Sequence, residues 1–515
     1  MRPAARAALG ILAVALPFAA RPVHIDDANF LVLARGAVAD PWRPHAISIN
    51  WQGTTEQAFD VLSNPPGVAW WLAPVAGAPA AVAHLWMMPW LLLGVWGAWS
   101  AGERLAGRGA AVAWLGMAGP LGLLAAGSLT PDLPLLACAW AGAAVVLGGR
   151  PGWGGLLLGA AALFRYSGLV LVPVAGLLAA AAAGGGRPGR VAGARAAAAA
   201  AVPLGLLALH DLHAYGRWHL LAMTGFQAVS TGPVEVAHKA VAAVGSLGLL
   251  GLPPVFARGV GARLGCALGL VVGLGAAFAA GHLGAALLAT VVAVGAGAAA
   301  LGGLPRPARA EERALWAWLA IGGLFLLTLR FAAARYWLPF LPPAVLLAAR
   351  AASPRALAWG VPVVVGWGLL VAGDDLAFAL AQRDLAARVQ AAAGGPGHIA
   401  GHWGFQHHLE AAGWTSHEDD APLPPGTPLA RSAAAWPQEA AGCVVEVGRF
   451  DAPAVWPFPR VHTRDGAANA HSFLVAGDPP LPVFSPVGWG TDPYDTVTLW
   501  RACDAAPDAA RAPPR

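Results

Sequence analysis

The stretch PAAVAHLWMMPWLLLGVWGAWS, residues 79–100, contains no aspartate, glutamate, lysine or arginine. A helix of about 20 apolar residues is long enough to cross the hydrocarbon core of a bilayer. Similar apolar runs, separated by short breaks that carry arginines, continue as far as Gly373. The stretch and its repetition along the chain predict a helical membrane protein.

The composition agrees with this prediction. Of the 515 residues, 57% are hydrophobic and 11% are charged, whereas a soluble domain carries roughly 25% charged residues. So few charges cannot cover the surface of a soluble enzyme, and the apolar content excludes a disordered chain. The net charge of +5 is small and forms no basic stripe, so we expect no nucleic-acid partner.

We predict an all-α polytopic membrane domain over residues 1–373, with about thirteen transmembrane helices. The apolar run after Arg2 and Arg6 is interpreted as an uncleaved first span rather than a signal peptide, because many spans follow it. A loop of about residues 21–78 comes next. The other spans are predicted near 79–100, 110–127, 132–148, two short ones within 153–182, 196–210, 240–256, 265–280, 283–301, 315–329, 337–349 and 356–373.

The distribution of arginines predicts the orientation of these spans. Alternate breaks carry arginine groups, for example Arg104 with Arg108 and Arg350 with Arg355. Such groups are typical of cytoplasmic loops. With thirteen spans, the loop 21–78 and the tail 374–515 then both lie outside the cytoplasm.

The tail differs in composition from the rest of the chain, since it holds 16 of the 27 acidic residues. Residues 398–402, 443–447 and 496–500 have strand patterns, and 405–412 have a helix pattern. We therefore predict a small extracytoplasmic α/β domain over 374–515. Its two cysteines, Cys443 and Cys503, can form a disulfide in that compartment.

The acidic pair Asp26-Asp27 follows the first span within a few residues. Two adjacent carboxylates near a low-dielectric region repel each other, which raises the pKa of at least one of them. Such a pair can take a proton from a hydroxyl or bind a divalent cation. The alternative is a helix N-terminus, whose dipole favours acidic residues.

Two further segments are candidates for a functional site on the same membrane face as the acidic pair. Asn64-Pro65-Pro66 ends the first loop, and two prolines predict a stiff turn there. Asp132 opens a span, where it either belongs to a functional site or caps the helix in competition with Thr130.

Two arginine–tyrosine pairs interrupt or open apolar stretches, Arg165-Tyr166 and Arg335-Tyr336. An arginine at the end of a span is usually a membrane anchor. Arg330 and Arg335, however, fall on the face that should be poor in arginine, where an anionic partner such as a phosphate would account for them.

In this order, the acidic pair, the Pro-Pro turn, the Asp that opens a span and the two Arg-Tyr pairs resemble the GT-C polyprenyl-phosphate-sugar glycosyltransferases. The chain most resembles the branch of protein O-mannosyltransferases and the lipid A aminoarabinose transferase (glycosyltransferase family 39-like), over about residues 1–375. The resemblance implies a GT-C fold in the bacterial cytoplasmic (inner) membrane. It also implies transfer of a sugar, with inversion, from a polyprenyl-phosphate donor to a lipid, protein or polysaccharide acceptor on the extracytoplasmic face.

The resemblance also implies roles for single residues. Asp26 matches the catalytic base, and Asp27 matches the second acidic residue of the family pair, where Glu is usual. The substrate-binding positions that match are Asn64, Pro65, Pro66, Asp132, Arg165, Tyr166, Arg335 and Tyr336. No cofactor is implied with certainty, and a divalent metal held by the carboxylates is left open.

The main alternative is a transporter or flippase of lipid-linked sugars, which would also place ionisable groups at membrane depth. A non-catalytic membrane subunit is a third interpretation. The enzyme hypothesis predicts that Asp26, Asp132 and Arg335 converge on one cavity.

Overall fold

Helices fill most of the chain up to residue 393, and a small sheet follows. The computed structural model describes the chain except residues 1, 52, 228–231, 253, 330–332, 436, 465–467, 473–481 and 504–515, and of 225–227 only the backbone. The α-helices are Pro3–Ala15, Asp27–Ala39, Ala58–Val61, Gly67–Leu72, Ala80–Ala106, Gly109–Met117, Pro120–Ala126, Asp132–Leu147, Pro151–Ala160, Leu171–Ala182, Gly186–Tyr215, His219–Gln227, Pro233–Ser246, Gly259–Ala279, Gly284–Gly302, Ala310–Thr328, Leu341–Ala351, Pro354–Ala393 and Trp403–Glu410. Shorter helical turns are Leu16–Ala20, Ala73–Val75, Ala161–Leu163, Tyr166–Val170, Leu247–Gly251, Pro254–Phe256 and Ala334–Phe340.

Among the described residues, seven helices are long and apolar enough to cross a membrane. They are Pro3–Ala20, Ala80–Ala106, Gly186–Tyr215, Pro233–Gly251, Gly259–Ala279, Gly284–Gly302 and Pro354–Ala393. A further pair, Gly109–Met117 and Pro120–Ala126, is bent by 61° and makes an eighth span if it is a broken one. The protein is therefore a multi-pass membrane protein.

The predicted count of thirteen spans stays a prediction. The predicted segments are mostly helical, but 110–127 and 240–256 are each divided among more than one helical piece. Several of the other helices are short or charged. Asp132–Leu147 has 16 residues, and Ala310–Thr328 carries Glu311 and Glu312 in its first turn. Length and composition alone do not assign such helices to complete crossings.

The apolar stretch from Pro151 to Ala182 forms two short helical pieces, as predicted. The first piece ends at Leu163 and the second begins at Tyr166. Arg165 between them has an extended backbone, with φ −154° and ψ 136°. This break places an arginine side chain inside the helical bundle.

The first loop contains a β-hairpin in which Ser48–Asn50 pairs with Thr55–Gln57 in antiparallel register. The hairpin packs on the tail: the side-chain amide of Asn50 donates to the carbonyl of His417 at 3.0 Å. The backbone N–H of Thr55 donates to the carboxylate of Glu418 at 2.9 Å. The first loop and the tail therefore lie at the same end of the bundle.

The tail forms a five-stranded sheet in the order Thr415–Ser416, His398–Ala400, Pro428–Ser432, Asp495–Ala502 and Val444–Ala452. The first three strands are parallel and the last two join antiparallel. The helix Trp403–Glu410 connects the first two parallel strands, as a parallel pair requires. The strands and the helix predicted from the sequence are confirmed.

Cys443 and Cys503, whose pairing the sequence left open, form a disulfide, with their Cα atoms 5.4 Å apart. Each lies next to the end of a strand, since Val444 pairs with Ala502 across the sheet. This Cα distance lies within the usual range for a disulfide.

One helix, Pro354–Ala393, runs through the proposed domain boundary at residues 373 and 374. Ser353 caps its N-terminus by accepting the N–H of Ala356 at 3.2 Å. Its 40 residues make it about 60 Å long, twice the hydrocarbon thickness. The helix therefore extends from the bundle into the tail, where buried Asp374 accepts the N–H of Val461 at 2.6 Å.

Candidate functional site

A strained turn follows the first span and carries the acidic pair. Ile25 has φ 47°, in the left-handed region, which is costly for a β-branched residue. The N–H of Asp27 donates to the carbonyl of His24 at 3.0 Å and closes the turn. As a result, Asp26 faces a large cavity, whereas His24 and Asp27 are completely buried.

Asp26 forms a short ion pair with Arg335. Their side chains are 20% and 17% exposed, so the pair is partly accessible from the cavity. Burial would raise the pKa of Asp26, but the guanidinium of Arg335 outweighs that effect, and the pKa is lowered from its usual value. The carboxylate is therefore ionised at neutral pH.

Asp27 does not face the large cavity. Its carboxylate accepts Arg21 at 2.9 Å, the N–H of Leu129 at 2.7 Å and the N–H of His24 at 3.3 Å. Burial raises its pKa to about 6, against the opposing effect of Arg21. Asp27 thus holds the first span, the turn and the segment before Asp132 together.

Asp132 is buried and pairs with Arg165. It also accepts the hydroxyl of Thr130 at 3.0 Å and lies 3.9 Å from Nη1 of Arg335. No side-chain cap is present on its helix, so the capping alternative is wrong for both Asp132 and Thr130. Asp132 instead links the two arginines of the site.

Arg165 and Arg335 are not membrane anchors, since their side chains point into the protein. The Arg165 side chain is 12% exposed and the Arg335 side chain 17%. The guanidinium of Arg165 lies 4.1 Å from the ring centroid of Tyr336, a cation–π contact. Arg335 lies 5.9 Å from the same ring. Tyr336 therefore holds both arginines beside the cavity. Arg330 lies outside the described residues.

The second arginine–tyrosine pair continues this wall. The hydroxyl of Tyr166 shares a hydrogen bond of 2.8 Å with Nδ1 of His219. The side chain is 9% exposed and lines the cavity. Its hydrogen bond fixes the ring at the start of the helix that follows Arg165.

The Asn64-Pro65-Pro66 turn contributes one residue to the cavity wall, Asn64. Its carbonyl accepts Nε2 of His45 at 3.0 Å. Gly67, directly after the prolines, packs so closely that an added Cβ would lie 2.3 Å from the carbonyl oxygen of Leu163. The prolines therefore form a stiff turn against the break that carries Arg165, and neither of them lines the cavity.

The cavity has a volume of about 830 Å³, and its lining residues are of two chemical kinds. Apolar side chains come partly from the helices His219–Gln227 and Ala310–Thr328, and polar and aromatic side chains come from the first loop and the tail. The apolar residues include Leu220, Met223, Phe325 and Leu329, and the polar or aromatic residues include Trp51, His402, Trp403, Asp419, Gln438 and Glu439. Asp26, Arg165, Arg335 and Tyr336 also line this cavity.

The sequence-based prediction of the site did not include several residues that lie behind the cavity wall. Arg21 bridges Asp27 and Asp375, and Asp375 accepts Nε2 of His471 at 2.8 Å. The pair Asp374-Asp375 within a mostly apolar helix was a usable signal, because carboxylates at such positions are rarely without a role.

No family model and no curated protein matches this sequence. Among solved structures, the arabinofuranosyltransferase AftD from mycobacteria is similar, with a TM-score of 0.41, 14% identity and 98% of this chain covered. This chain spans 40% of the length of AftD. ArnT from Cupriavidus metallidurans is similar in its apo state, with a TM-score of 0.38 and 16% identity over 82% of this chain and 92% of ArnT. For ArnT bound to undecaprenyl phosphate, the TM-score is 0.38 and the identity is 14%, over 83% of this chain and 92% of ArnT. AftD is a glycosyltransferase by name, but TM-scores this low do not by themselves assign a function.

Proposed function

We propose that the protein is a membrane glycosyltransferase that moves a sugar from a polyprenyl-phosphate donor to an acceptor, with inversion, on the extracytoplasmic face of the bacterial inner membrane. The observation that carries the proposal is the position of Asp26 and Arg335. They lie together on the wall of one cavity whose lining includes both apolar and polar side chains. A lipid-linked sugar phosphate likewise combines an apolar chain, a charged phosphate and a polar sugar.

The apolar lining residues suit the polyprenyl chain, and the polar ones suit the sugar and the acceptor. Trp51 and Trp403 supply aromatic surfaces, and Asp419 and Glu439 supply hydrogen-bonding groups. Trp403 has φ 64°, and strain of this kind in a non-glycine residue is concentrated at functional sites. These features favour a carbohydrate among the polar lining residues.

In the proposed reaction, Asp26 takes a proton from the hydroxyl or amine of the acceptor. The acceptor atom forms a bond with the anomeric carbon while the bond from that carbon to the phosphate oxygen breaks. The polyprenyl phosphate leaves with the bonding electron pair, and Arg335 and Arg165 stabilise its charge. Asp132, bound to Arg165 and near Arg335, holds both guanidinium groups in place.

The predicted convergence on one cavity is only partly present: Asp26 and Arg335 line the large cavity, whereas Asp132 borders a separate small cavity with Arg335. Arg335 joins the two carboxylates, as an ion pair with Asp26 and at 3.9 Å from Asp132. This arrangement supports the enzyme over the transporter. A general base needs an ionised carboxylate beside the reacting groups, whereas a transporter of lipid-linked sugars takes no proton from an acceptor.

The test is sugar transfer by purified variants from a set of defined polyprenyl-phosphate sugars. Asp26→Asn keeps the shape of the side chain but removes its basicity. We expect the rate to fall by roughly 10²–10⁴-fold, with unchanged membrane insertion.

Asp60→Asn is the matched control, since Asp60 belongs to the same loop and forms an exposed ion pair with Arg217. It should transfer at the wild-type rate. Wild-type transfer by Asp26→Asn would refute the proposal.

A further inference from the structure

Three side chains from distant parts of the chain meet behind the large cavity: His24, Asp375 and His471. Their ligand atoms lie within 4.8 Å of one another. Nε2 of His471 is 2.8 Å from Oδ1 of Asp375, and Nε2 of His24 is 3.6 Å from the same oxygen. Two imidazole nitrogens thus point at one carboxylate oxygen.

Nε2 of His24 faces Asp375 and is placed to act as a ligand. Its Nδ1 lies 3.2 Å from the side-chain oxygen of Gln382, which accepts a hydrogen bond in the tautomer protonated at Nδ1. In a neutral imidazole, Nε2 then carries a lone pair. Within the described part of the chain, no hydrogen-bond partner reaches this nitrogen, although the side chain is completely buried.

A lone pair on His24 and a carboxylate oxygen that face each other in the protein interior repel unless a cation lies between them. Zn²⁺ binds imidazole nitrogen and carboxylate oxygen at about 2.0–2.2 Å, which places tetrahedral ligand atoms about 3.3 Å apart. The two observed separations, 2.8 and 3.6 Å, lie on either side of this value.

The surroundings also fit a divalent cation. Arg21 binds Oδ2 of Asp375 and also Asp27. This contact orients the Asp375 carboxylate with Oδ1 toward the histidines, as an outer-shell partner does. One arginine and two carboxylates carry one net negative charge, which attracts a dication.

A separate small cavity of about 30 Å³ borders the cluster, and His24, Asp375 and His471 line it. A space of this size holds a water molecule, which can serve as the fourth ligand. Three protein ligands and one open position are a common arrangement for zinc.

We propose that His24, Asp375 and His471 bind one divalent transition metal of the Zn²⁺ class. The metal joins the turn that carries Asp26, the last membrane helix and the tail. Because His471 also lines the large cavity, the metal fixes this part of the tail over that cavity. The proposal does not depend on the sugar-transfer reaction.

The experiment measures metal binding by the full chain, purified in detergent without a histidine tag and stripped with a chelator. Zn²⁺ content is measured by mass spectrometry after dialysis, and the visible absorption of bound Co²⁺ reports the coordination geometry. We expect one metal per chain and a tetrahedral Co²⁺ spectrum for the wild type.

The decisive variant is His471→Gln, whose amide still donates to Asp375 but is a poor metal ligand. Its affinity should fall by roughly 100-fold or more, since loss of an outer-shell partner alone costs 10–100-fold. His24→Gln should behave in the same way. His408→Gln is the control, because His408 is also half-buried but lies outside the cluster.

A chelator should lower the Tm of the wild type and leave that of His471→Gln unchanged, which separates metal loss from a folding defect. If the wild type binds no more metal than His471→Gln, the proposal is wrong. It is also wrong if His408→Gln loses the metal and His471→Gln retains it.

Discussion

Arg335 takes part in both proposed steps, since it pairs with the base Asp26 and stabilises the leaving phosphate. It pairs with Asp26 and lies 3.9 Å from Asp132, so a donor phosphate would share its guanidinium with two carboxylates. A guanidinium presents several donors in a fixed fork, whereas an ammonium is a single point charge. We therefore expect this position to require arginine rather than only a positive charge.

Arg335→Ala should lower the rate of sugar transfer far more than it lowers the amount of protein in the membrane. Arg335→Lys should recover only part of the rate, because it restores the charge without the fork. The rates are measured with purified protein, and Arg217→Ala, at an exposed ion pair, is the control. An unchanged rate in Arg335→Ala would assign the residue to structure alone.

Asp27 differs from its neighbour, although the two are adjacent in sequence. Three protein groups occupy its carboxylate, and the residue is fully buried. Breaking one side of a buried ion pair typically destabilises a protein by about 3–5 kcal/mol.

Asp27→Asn should therefore lower the Tm in detergent markedly, whereas Asp26→Asn should change it little. The measurement is thermal unfolding of both variants under the same conditions. If Asp27→Asn keeps the wild-type Tm but loses transfer, Asp27 takes part in the chemistry directly.

The sequence identified charged residues of the membrane domain better than residues of the tail. Asp26, Asp132, Arg165 and Arg335 were singled out because charged groups are rare and costly near a membrane. The separation of Asp26 from Asp27 was not predictable, since it depends on the turn at Ile25. His471 was missed because only the folded chain brings it to the first span.

At the scale of elements, the structure depends on close contacts between short helices. Gly67 after the Pro-Pro turn abuts the carbonyl of Leu163, two residues before Arg165. A side chain at this position would push the turn and the Arg165 break apart, because backbone atoms on the facing side cannot move cheaply.

Gly67→Val should reduce the rate of sugar transfer, because it displaces Arg165. It should affect the Tm less than it affects this rate. Gly77→Val is the control, since an added Cβ there meets nothing within 4 Å. Transfer and unfolding are measured on both proteins. Equal effects of the two substitutions would contradict a positioning role for the Gly67 contact.

Element boundaries illustrate what a sequence pattern predicts and what it leaves open. Apolar runs predicted the long membrane helices, whereas short helices such as Gly67–Leu72 and His219–Gln227 lie outside the predicted spans. The pattern did not show that Pro354–Ala393 is one helix, because the change from apolar to polar residues looks like a domain boundary. A helix that leaves the membrane keeps its backbone hydrogen bonds in either environment.

At the scale of the whole molecule, charged groups gather at two opposite ends of the bundle. Arg350 pairs with Glu312 and donates to the carbonyl of Leu105, and Arg108 donates to the carbonyl of Ala349. These residues belong to the segments that the arginine pattern assigns to the cytoplasm. The carboxylates of the candidate site lie among the segments assigned to the other face.

The contact between the first loop and the tail restricts the number of crossings. The hairpin Ser48–Asn50 and Thr55–Gln57 packs on the tail through Asn50 and Thr55. The chain must therefore cross the membrane an even number of times between residue 78 and the tail. Twelve crossings, as the thirteen-span prediction has it, satisfy this condition.

Reporter fusions test the resulting orientation. A fusion after Ala393 should report a location outside the cytoplasm, and a fusion at Gly185 should report the cytoplasm.

The disulfide between Cys443 and Cys503 provides an independent measurement, because such bonds persist in oxidising compartments. Thiol labelling of unreduced protein should find both cysteines blocked, whereas free Cys266, the control, should react after denaturation. A cytoplasmic tail with reduced cysteines would place the polar lining residues of the cavity on the wrong side of the membrane for a lipid-linked donor.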